Sequence, residues 1–176
     1  MQYRTLGTDG PQVPVIGLGA WPIGGGMGAL DEEQSIRTVR AAIDCGVTLL
    51  DTAQAYRTSE STLGRALKDG YRDRCFLATK VSGDYSRVGV RTAMENSLSA
   101  LGVSDVDLYQ VHSWGQGQYP IEETMGEMAR LQEEGKTRYI GVSNFNAEQM
   151  ETAYGIAPFH SSQPRYNMFG RGIETE

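Results

Sequence analysis

The stretch Leu49-Leu50-Asp51-Thr52-Ala53-Gln54-Ala55-Tyr56 decides the fold, because it places a carboxylate where a buried strand ends. Residues 47–50 are nearly all apolar, as in strands that are buried on both faces of a parallel sheet. The chain breaks into a loop at Asp51, and Tyr56 follows five residues later, at the predicted start of a helix. The stretch therefore predicts a strand tip that presents an acid and a phenol.

Similar strand tips recur at intervals of about 30 residues. Lys80 follows the apolar run 76–79, His112 follows residues 106–111, and Ser143 and Asn144 follow residues 139–142. Each tip carries a polar residue that the interior of a buried strand disfavours. In parallel α/β folds such residues gather at the carboxyl ends of the strands, so we predict that they converge on one site.

Helices are predicted between the strands, because apolar residues recur there at helical spacing between capping signals. The first helix begins at the capping-box sequence 31–34 and ends at Gly46, and the fifth begins after Asn146, with Gln149 in its third position. The second is predicted over residues 59–68, and the third and fourth end at Gly102 and Gly135. The predicted barrel strands are residues 17–20, 47–50, 76–79, 106–111, 138–142 and 159–163, preceded by a hairpin with arms 3–6 and 13–16.

Two parallel architectures compete for this pattern. A doubly wound open sheet tends to use one crevice, where the strand order reverses. A (β/α)8 barrel gathers its chemistry at the ends of many strands. At least four successive strand tips carry functional residue types here, which favours the barrel. The predicted fold class is thus α/β, a (β/α)8 TIM barrel of which residues 1–176 hold about the first six βα units, as a single domain.

Composition narrows the possible partners. The net charge of −6 and the pI near 5 argue against a nucleic-acid or anionic-membrane partner. No apolar run approaches the ~20 residues of a membrane span, and the N-terminus lacks a signal-type segment. Cys45 and Cys75 lie far apart without metal-ligand spacing, which predicts reduced, mostly buried thiols, no metal site and a cytoplasmic location.

Asp51, Tyr56, Lys80 and His112 together suit the reduction of a carbonyl group. A free tyrosine titrates near ~10, so a phenol is a weak acid unless its anion is stabilised. A lysine ammonium beside the phenol would lower the tyrosine pKa, and an aspartate would hold that ammonium in place. A histidine on the next strand could orient the carbonyl. The hydride must come from a cofactor, because no side chain supplies one.

Four stretches resemble the aldo-keto reductase family: residues 50–56 (LDTAQAY), 78–81 (ATKV), 107–112 (DLYQVH) and 135–145 (GKTRYIGVSNF). The resemblance implies a (β/α)8 barrel that reduces carbonyl compounds with NADPH or, less usually, NADH. It implies that Tyr56 is the general acid, that Lys80 and Asp51 tune it, and that His112 orients the substrate. It also assigns Ser143, Asn144 and Gln163 to the nicotinamide carboxamide, and residues 17–21 to a position beside the nicotinamide and the substrate. Trp21 and Trp114 are candidates for substrate contact, with packing at the rim as the alternative.

The sequence departs from the family pattern where it ends. The resemblance implies two further βα units, which would bind the pyrophosphate and adenosine side of the cofactor and supply an aromatic ring that stacks on the nicotinamide. Without them the sheet would expose two strand edges, which favours self-association. We consider three explanations: a fragment of a longer reductase, which we favour, a short homologue completed by association, and a remnant without activity. The alternative function is a non-catalytic binding or auxiliary subunit of the same family.

A glycine-rich loop precedes the first helix. Residues 24–29 fit the dinucleotide pattern G-x-G-x-x-A, and Asp44 lies about 20 residues further on. In that motif the last small residue opens a helix, whereas the predicted helix begins only near Asp31. We therefore favour a flexible active-site loop over a nucleotide fingerprint.

Overall fold

Six parallel strands form one sheet in which each strand pairs with its neighbours in sequence. The computed structural model describes residues 1–28, 30–115 and 118–175. An antiparallel hairpin, β1 and β2, precedes the sheet. Among the described strands the order never reverses, as it would at a switch-point crevice, and the sheet is the curled part of a (β/α)8 barrel, as predicted. The strands are β1 (Tyr3–Thr5), β2 (Gln12–Pro14), β3 (Gly17–Gly19), β4 (Leu49–Asp51), β5 (Phe76–Val81), β6 (Val106–Val111), β7 (Thr137–Ser143) and β8 (Ser161–Gln163).

One helix connects each barrel strand to the next, which confirms the predicted alternation. The helices are α1 (Glu32–Asp44), α2 (Ser59–Ala66), α3 (Arg87–Leu101), α4 (Ile121–Glu133) and α5 (Ala147–Ile156). The Asn146 side chain accepts a hydrogen bond from the Gln149 amide at 2.9 Å, and the Gln149 side chain accepts one from the Asn146 amide at 3.0 Å. This reciprocal capping box begins α5 as predicted. Gly102 ends α3 in a left-handed conformation, at φ 66°, which a glycine adopts without steric cost.

Side chains alternate between the two faces of each strand, and this alternation positions the site. On β5, Leu77 and Thr79 face the helices, and the Thr79 hydroxyl donates to the buried Glu60 carboxylate of α2 at 2.7 Å. Phe76, Ala78 and Lys80 therefore face the concave inner side of the curled sheet. Lys80 lies inside the strand, because β5 pairs with β6 as far as Val81.

The strand register arranges the inward residues in layers. Asp51 is level with Ala78 of β5, and Lys80 is level with Gln110 of β6. Ser143 is level with Gln163 one layer higher. The predicted polar residues therefore occupy the upper layers, at the carboxyl ends of the strands.

The hairpin covers the amino end of the sheet. Leu6 and Val13 line a cavity of about 220 Å³ inside the curl, together with inward residues of β4, β5, β6 and β8. The cavity reaches from the hairpin up to Asp51 and Gln163. The hairpin thus covers the inner side of the sheet at the amino ends of its strands, while the carboxyl ends of the strands remain open.

Two predictions about the surface can be compared with the structure. Cys45 is exposed and Cys75 is half-buried, and both are free thiols. The prediction of burial was wrong for Cys45, because this residue caps the end of α1 and lies outside its buried stripe. In the described ranges, no helix combines the length and the hydropathy that crossing a membrane requires.

Candidate active site

The ammonium of Lys80 is held by three acceptors at the carboxyl end of the sheet. Its Nζ donates to both carboxylate oxygens of Asp51, at 2.6 and 2.7 Å, and to the carbonyl of Thr52, at 2.9 Å. Lys80 is only 1% exposed. Burial lowers the pKa of Lys80, and the charge of Asp51 opposes that change. Since all three ammonium protons have acceptors, the buried cation is compensated.

Tyr56 lies in the turn between β4 and α2. The Lys80 Nζ lies over its ring, 5.3 Å from the centroid. The sequence predicted that this tyrosine begins the helix. In the structure it precedes the first residue of α2 by three positions. Its amide donates to the carbonyl of Ala53 at 2.9 Å, and its carbonyl accepts from the amide of Ser59 at 3.0 Å. These turn bonds direct the ring towards Lys80.

The pKa of Tyr56 is raised from its ordinary value, first by burial and then by the charge of Asp51. The sequence predicted the opposite direction, on the expectation that Lys80 stabilises the phenolate. The structure explains the difference, because the ammonium is already bound by Asp51 and by the Thr52 carbonyl. The phenol is consequently protonated at neutral pH.

His112 contacts Tyr56 from the next strand. The two rings meet edge to face, with centroids 5.6 Å apart and planes at 78°. The Nδ1 atom of His112 lies 2.7 Å from the hydroxyl of Ser82. Burial, and then the charge of Lys80, lower the pKa of His112, so that the ring is neutral at physiological pH. Within the described ranges Nε2 has no hydrogen-bond partner and is available to a ligand.

Ser143, Asn144 and Gln163 form a connected group at the tips of β7 and β8. The Ser143 hydroxyl donates to the Gln163 carbonyl at 2.9 Å. The Asn144 side-chain amide donates to the His112 carbonyl and to the Ser143 hydroxyl, both at 3.0 Å. Asn144 has φ 58°, a left-handed conformation that asparagine tolerates better than most residues. This turn joins the predicted carboxamide-binding residues to the backbone of His112.

The two tryptophans lie at the rim of the site. The Trp114 ring packs edge to face on the buried Phe145, with centroids 5.1 Å apart, and is half-buried. Trp21 is 47% exposed. No hydrogen bond between described residues joins either indole to Tyr56 or His112. Packing accounts for the position of Trp114, and the exposed indole of Trp21 remains free for contact with a substrate.

The glycine-rich loop packs against the site and does not form a nucleotide fingerprint. A Cβ on Gly24 would lie 1.9 Å from the carbonyl oxygen of Tyr56, and one on Gly26 would lie 2.4 Å from the indole nitrogen of Trp21. The loop precedes α1, which begins only at Glu32 after the cap Asp31. The final residue of the formal motif, Ala29, lies outside the described residues. Gly24 thus permits close contact between the loop and Tyr56.

The family can now be assigned. The sequence model of the aldo/keto reductase family matches residues 15–176. The chain belongs to the aldo/keto reductase family. Asp51 and Lys80, in the upper strand layers, lie together with Tyr56 in the turn after β4 and with His112 directly after β6, which are the residues that the resemblance had assigned to this site.

Known aldo-keto reductases match the chain over nearly its whole length. It is 46% identical, over 187 aligned positions, to aldo-keto reductase YhdN of Bacillus subtilis (strain 168), an alignment that covers 99% of this chain and 56% of that protein. The thermostable aldo-keto reductase Tm1743, solved with the inhibitor epalrestat, superposes with a TM-score of 0.91 at 36% identity over 99% of this chain and 66% of that one. An aldo/keto reductase from Klebsiella pneumoniae, solved with NADP and acetate, has a TM-score of 0.88 at 35% identity over 98% of this chain and 61% of that one. The chain therefore spans between about half and two thirds of the length of these relatives.

Three residues of this candidate site were not identified from the sequence. The carbonyl of Thr52 accepts from Lys80, and the Gln54 side chain accepts from the amide of Ser82 at 3.4 Å. Ser82 in turn contacts His112. The sequence could have indicated Ser82. It lies two residues after Lys80, and residues two apart in extended backbone point to the same face.

A larger cavity lies away from this site. A cavity of about 650 Å³ opens between the C-terminal halves of α2 and α3, at the amino end of the sheet. Its buried carboxylate, Asp107, pairs with Arg72 at 2.9 Å and with Arg138 at 3.3 Å. The charges that line this cavity are thus largely used in ion pairs, and we place the candidate active site at the strand tips.

Proposed function

We propose that the protein carrying this chain is an oxidoreductase that reduces aldehydes or ketones to alcohols, with a nicotinamide cofactor as hydride donor and Tyr56 as proton donor. The observation that carries the proposal is a chain of three contacts at the open end of the sheet. Asp51 pairs with Lys80, Lys80 lies over the ring of Tyr56, and that ring packs against His112. Family membership adds the hydride chemistry to this arrangement.

The strand tips offer groups that fit a nicotinamide carboxamide. The side-chain oxygen of Asn144 and the side-chain amide of Gln163 make no hydrogen bond to any described residue, although both lie at the open end of the sheet. An amide ligand needs both a donor and an acceptor, and these two side chains supply them. We propose NADPH as the cofactor, with NADH as the alternative, since a Klebsiella pneumoniae aldo-keto reductase was solved with NADPH. When bound, the cofactor supplies the hydride.

Tyr56 and His112 bind the carbonyl oxygen of the substrate in this proposal. The phenol stays protonated at neutral pH, because burial and Asp51 raise its pKa. As the carbonyl carbon gains the hydride, the carbon–oxygen π bond breaks and the oxygen takes the proton of the Tyr56 hydroxyl, which gives the alcohol. The Lys80 ammonium, 5.3 Å from the centroid of the Tyr56 ring, is the nearby positive charge that would oppose the cost of forming the phenolate, although Asp51 and the Thr52 carbonyl already bind it. Solvent then returns a proton to Tyr56.

Trp21 and Trp114 lie at the rim of the site, where a small-molecule substrate would enter. The Trp21 indole lies close to Gly26, and the Trp114 ring packs edge to face on Phe145. We propose that the two indoles contact the apolar part of the carbonyl compound.

The test is carbonyl-dependent oxidation of NADPH by the full-length protein, followed by absorbance with a panel of simple aldehydes. The Tyr56→Phe variant removes the proton donor and keeps the ring, so turnover should fall by about 10²- to 10⁴-fold. Tyr154→Phe, on an exposed position of α5, is the matched control and should leave turnover unchanged. If the protein binds NADPH but turns over no carbonyl, it is a non-catalytic binding or auxiliary member of the family.

We also propose that copies of this chain associate through the edges of the sheet. Among the described strands, β3 pairs only with β4, and β8 pairs only with β7. Each of these edge strands leaves backbone donors and acceptors without a strand partner, and such edges favour pairing with another chain.

A further inference from the structure

Ser82 lies in the site but has no role in the family motifs or in the proposed proton transfer. It follows β5 directly, as His112 follows β6 directly. Val81 and Val111 are level in the sheet, and the His112 amide donates to the Val81 carbonyl at 3.2 Å. The strand register therefore places Ser82 and His112 side by side, with Ser82 Oγ 2.7 Å from His112 Nδ1.

The hydroxyl of Ser82 has one hydrogen-bond partner among the described residues. That partner is Nδ1 of His112, whereas the backbone amide of Ser82 donates to Gln54. A serine hydroxyl donates one hydrogen bond, and no other described acceptor lies within reach of it. We infer that the hydroxyl donates its proton to Nδ1, which then acts as the acceptor.

A neutral imidazole carries one proton, and the partner of one ring nitrogen decides which nitrogen carries it. If Nδ1 accepts from Ser82, the proton is on Nε2. Burial and then the charge of Lys80 lower the pKa of His112, against the charge of Asp51, and this keeps the ring neutral. In that tautomer Nε2, which has no hydrogen-bond partner among the described residues, would be a hydrogen-bond donor at the open end of the site.

We propose that Ser82 is a positioning residue that holds His112 in the Nε2-protonated tautomer, so that the imidazole donates to the carbonyl oxygen of the substrate. The inference rests on the proposed function for its catalytic consequence, but the tautomer is a property of the protein alone. Without Ser82, Nδ1 would compete for the proton, and a ring protonated there would present an acceptor to the carbonyl oxygen.

The experiment is a long-range proton–nitrogen correlation spectrum of the full-length protein, together with steady-state kinetics. Residues 1–176 contain two histidines, so a His160→Gln variant assigns the imidazole signals within this part of the protein. We expect His112 to be protonated on Nε2 in the wild type. In Ser82→Ala we expect the Nδ1-protonated form to grow and kcat/KM to fall about two- to tenfold, as for the loss of one side-chain hydrogen bond.

Two further variants separate positioning from a merely structural effect. Ser82→Thr keeps the hydroxyl and should restore both the tautomer and kcat/KM. Ser113→Ala removes the neighbouring hydroxyl, which pairs with Tyr85 at 3.0 Å, and should change neither. A wild-type His112 protonated on Nδ1, or an unchanged tautomer in Ser82→Ala, overturns the proposal. If no carbonyl is reduced, the proposed function fails, and the spectra still decide the role of Ser82.

Discussion

Lys80 and Asp51 form a two-point ion pair across neighbouring strands, with the ammonium 2.6 and 2.7 Å from the two carboxylate oxygens. The side chain of Lys80 is 2% exposed and that of Asp51 is 21% exposed. The cation is therefore buried, whereas the anion reaches solvent. Removing the anion should cost more than removing both charges, because an unpaired charge in the interior is the unfavourable state.

Asp51→Asn should lower the free energy of unfolding by about 3 kcal/mol, because it leaves the Lys80 ammonium without its counter-charge. Urea unfolding followed by circular dichroism measures this change. The double variant Asp51→Asn with Lys80→Met removes both charges and should recover a substantial part of the loss. A single variant as stable as the wild type would show that the ion pair contributes little.

The protonation of His112 should couple stability to acid pH. Its pKa in the folded protein is lowered from the ordinary 6.5. The unfolded chain therefore binds more protons in the window below 6.5, and the free energy of unfolding rises with pH across that window. The neutral His112 ring thus contributes its full share of stability above pH 6.5. That share is lost as the pH falls from 6.5 through the pKa of His112 in the folded protein. An NMR titration should show His112 changing charge below pH 6.5, and a midpoint at or above that value would contradict the structure.

The ionisation of Tyr56 should lower the free energy of unfolding as the pH rises in the alkaline range. Its raised pKa means that the phenol is stabilised in the folded protein. The contribution to stability is present below the ordinary value of about 10 and is lost as the pH rises through the folded pKa. Comparing the ultraviolet titrations of the wild type and Tyr56→Phe isolates this group. Ionisation of Tyr56 below pH 10 would mean that Lys80 controls it, as the sequence had suggested.

Much of this arrangement was predictable because short-range rules determine it. The predicted strand Val106–Val111 is fully buried, and the Asn146 and Gln149 pair formed the predicted cap. Strand tips of parallel strands share one edge, so Asp51, Lys80 and His112 could be placed together from the sequence.

The rest depended on distances that the sequence does not contain. Tyr56 lies in a turn rather than in a helix, because backbone hydrogen bonds to Ala53 and from Ser59 close the chain there before α2 begins. The direction of its pKa shift follows from the ammonium being bound by Asp51, which only the side-chain geometry reveals. A serine after a strand is common, so Ser82 gained significance only when its hydroxyl was found beside His112.

Gly24→Ala should disturb the site through the backbone of Tyr56. The added Cβ would lie 1.9 Å from the Tyr56 carbonyl oxygen, so either the loop or the tyrosine must move. We expect a loss of about 1–3 kcal/mol in unfolding free energy, as for overpacking, together with weaker carbonyl reduction. Gly126→Ala is the matched control, because its Cβ would meet nothing within 4 Å in the middle of α4, and it should stabilise the protein by about 0.5–1 kcal/mol. Equal stability of the two variants would contradict the close packing of the loop.

The edge strand β8 should govern self-association. Ser162 is exposed in the middle of β8, and a lysine on a strand edge opposes pairing with another chain. In sedimentation velocity runs of the 176-residue chain we expect species larger than 19.3 kDa. Ser162→Lys should shift them towards the monomer, whereas Ser99→Lys, on the exposed face of α3, adds the same charge and should leave the distribution unchanged. Because the two variants carry the same net charge, a difference between them isolates the strand edge from general electrostatic repulsion, and a monomeric wild type would refute association through these edges.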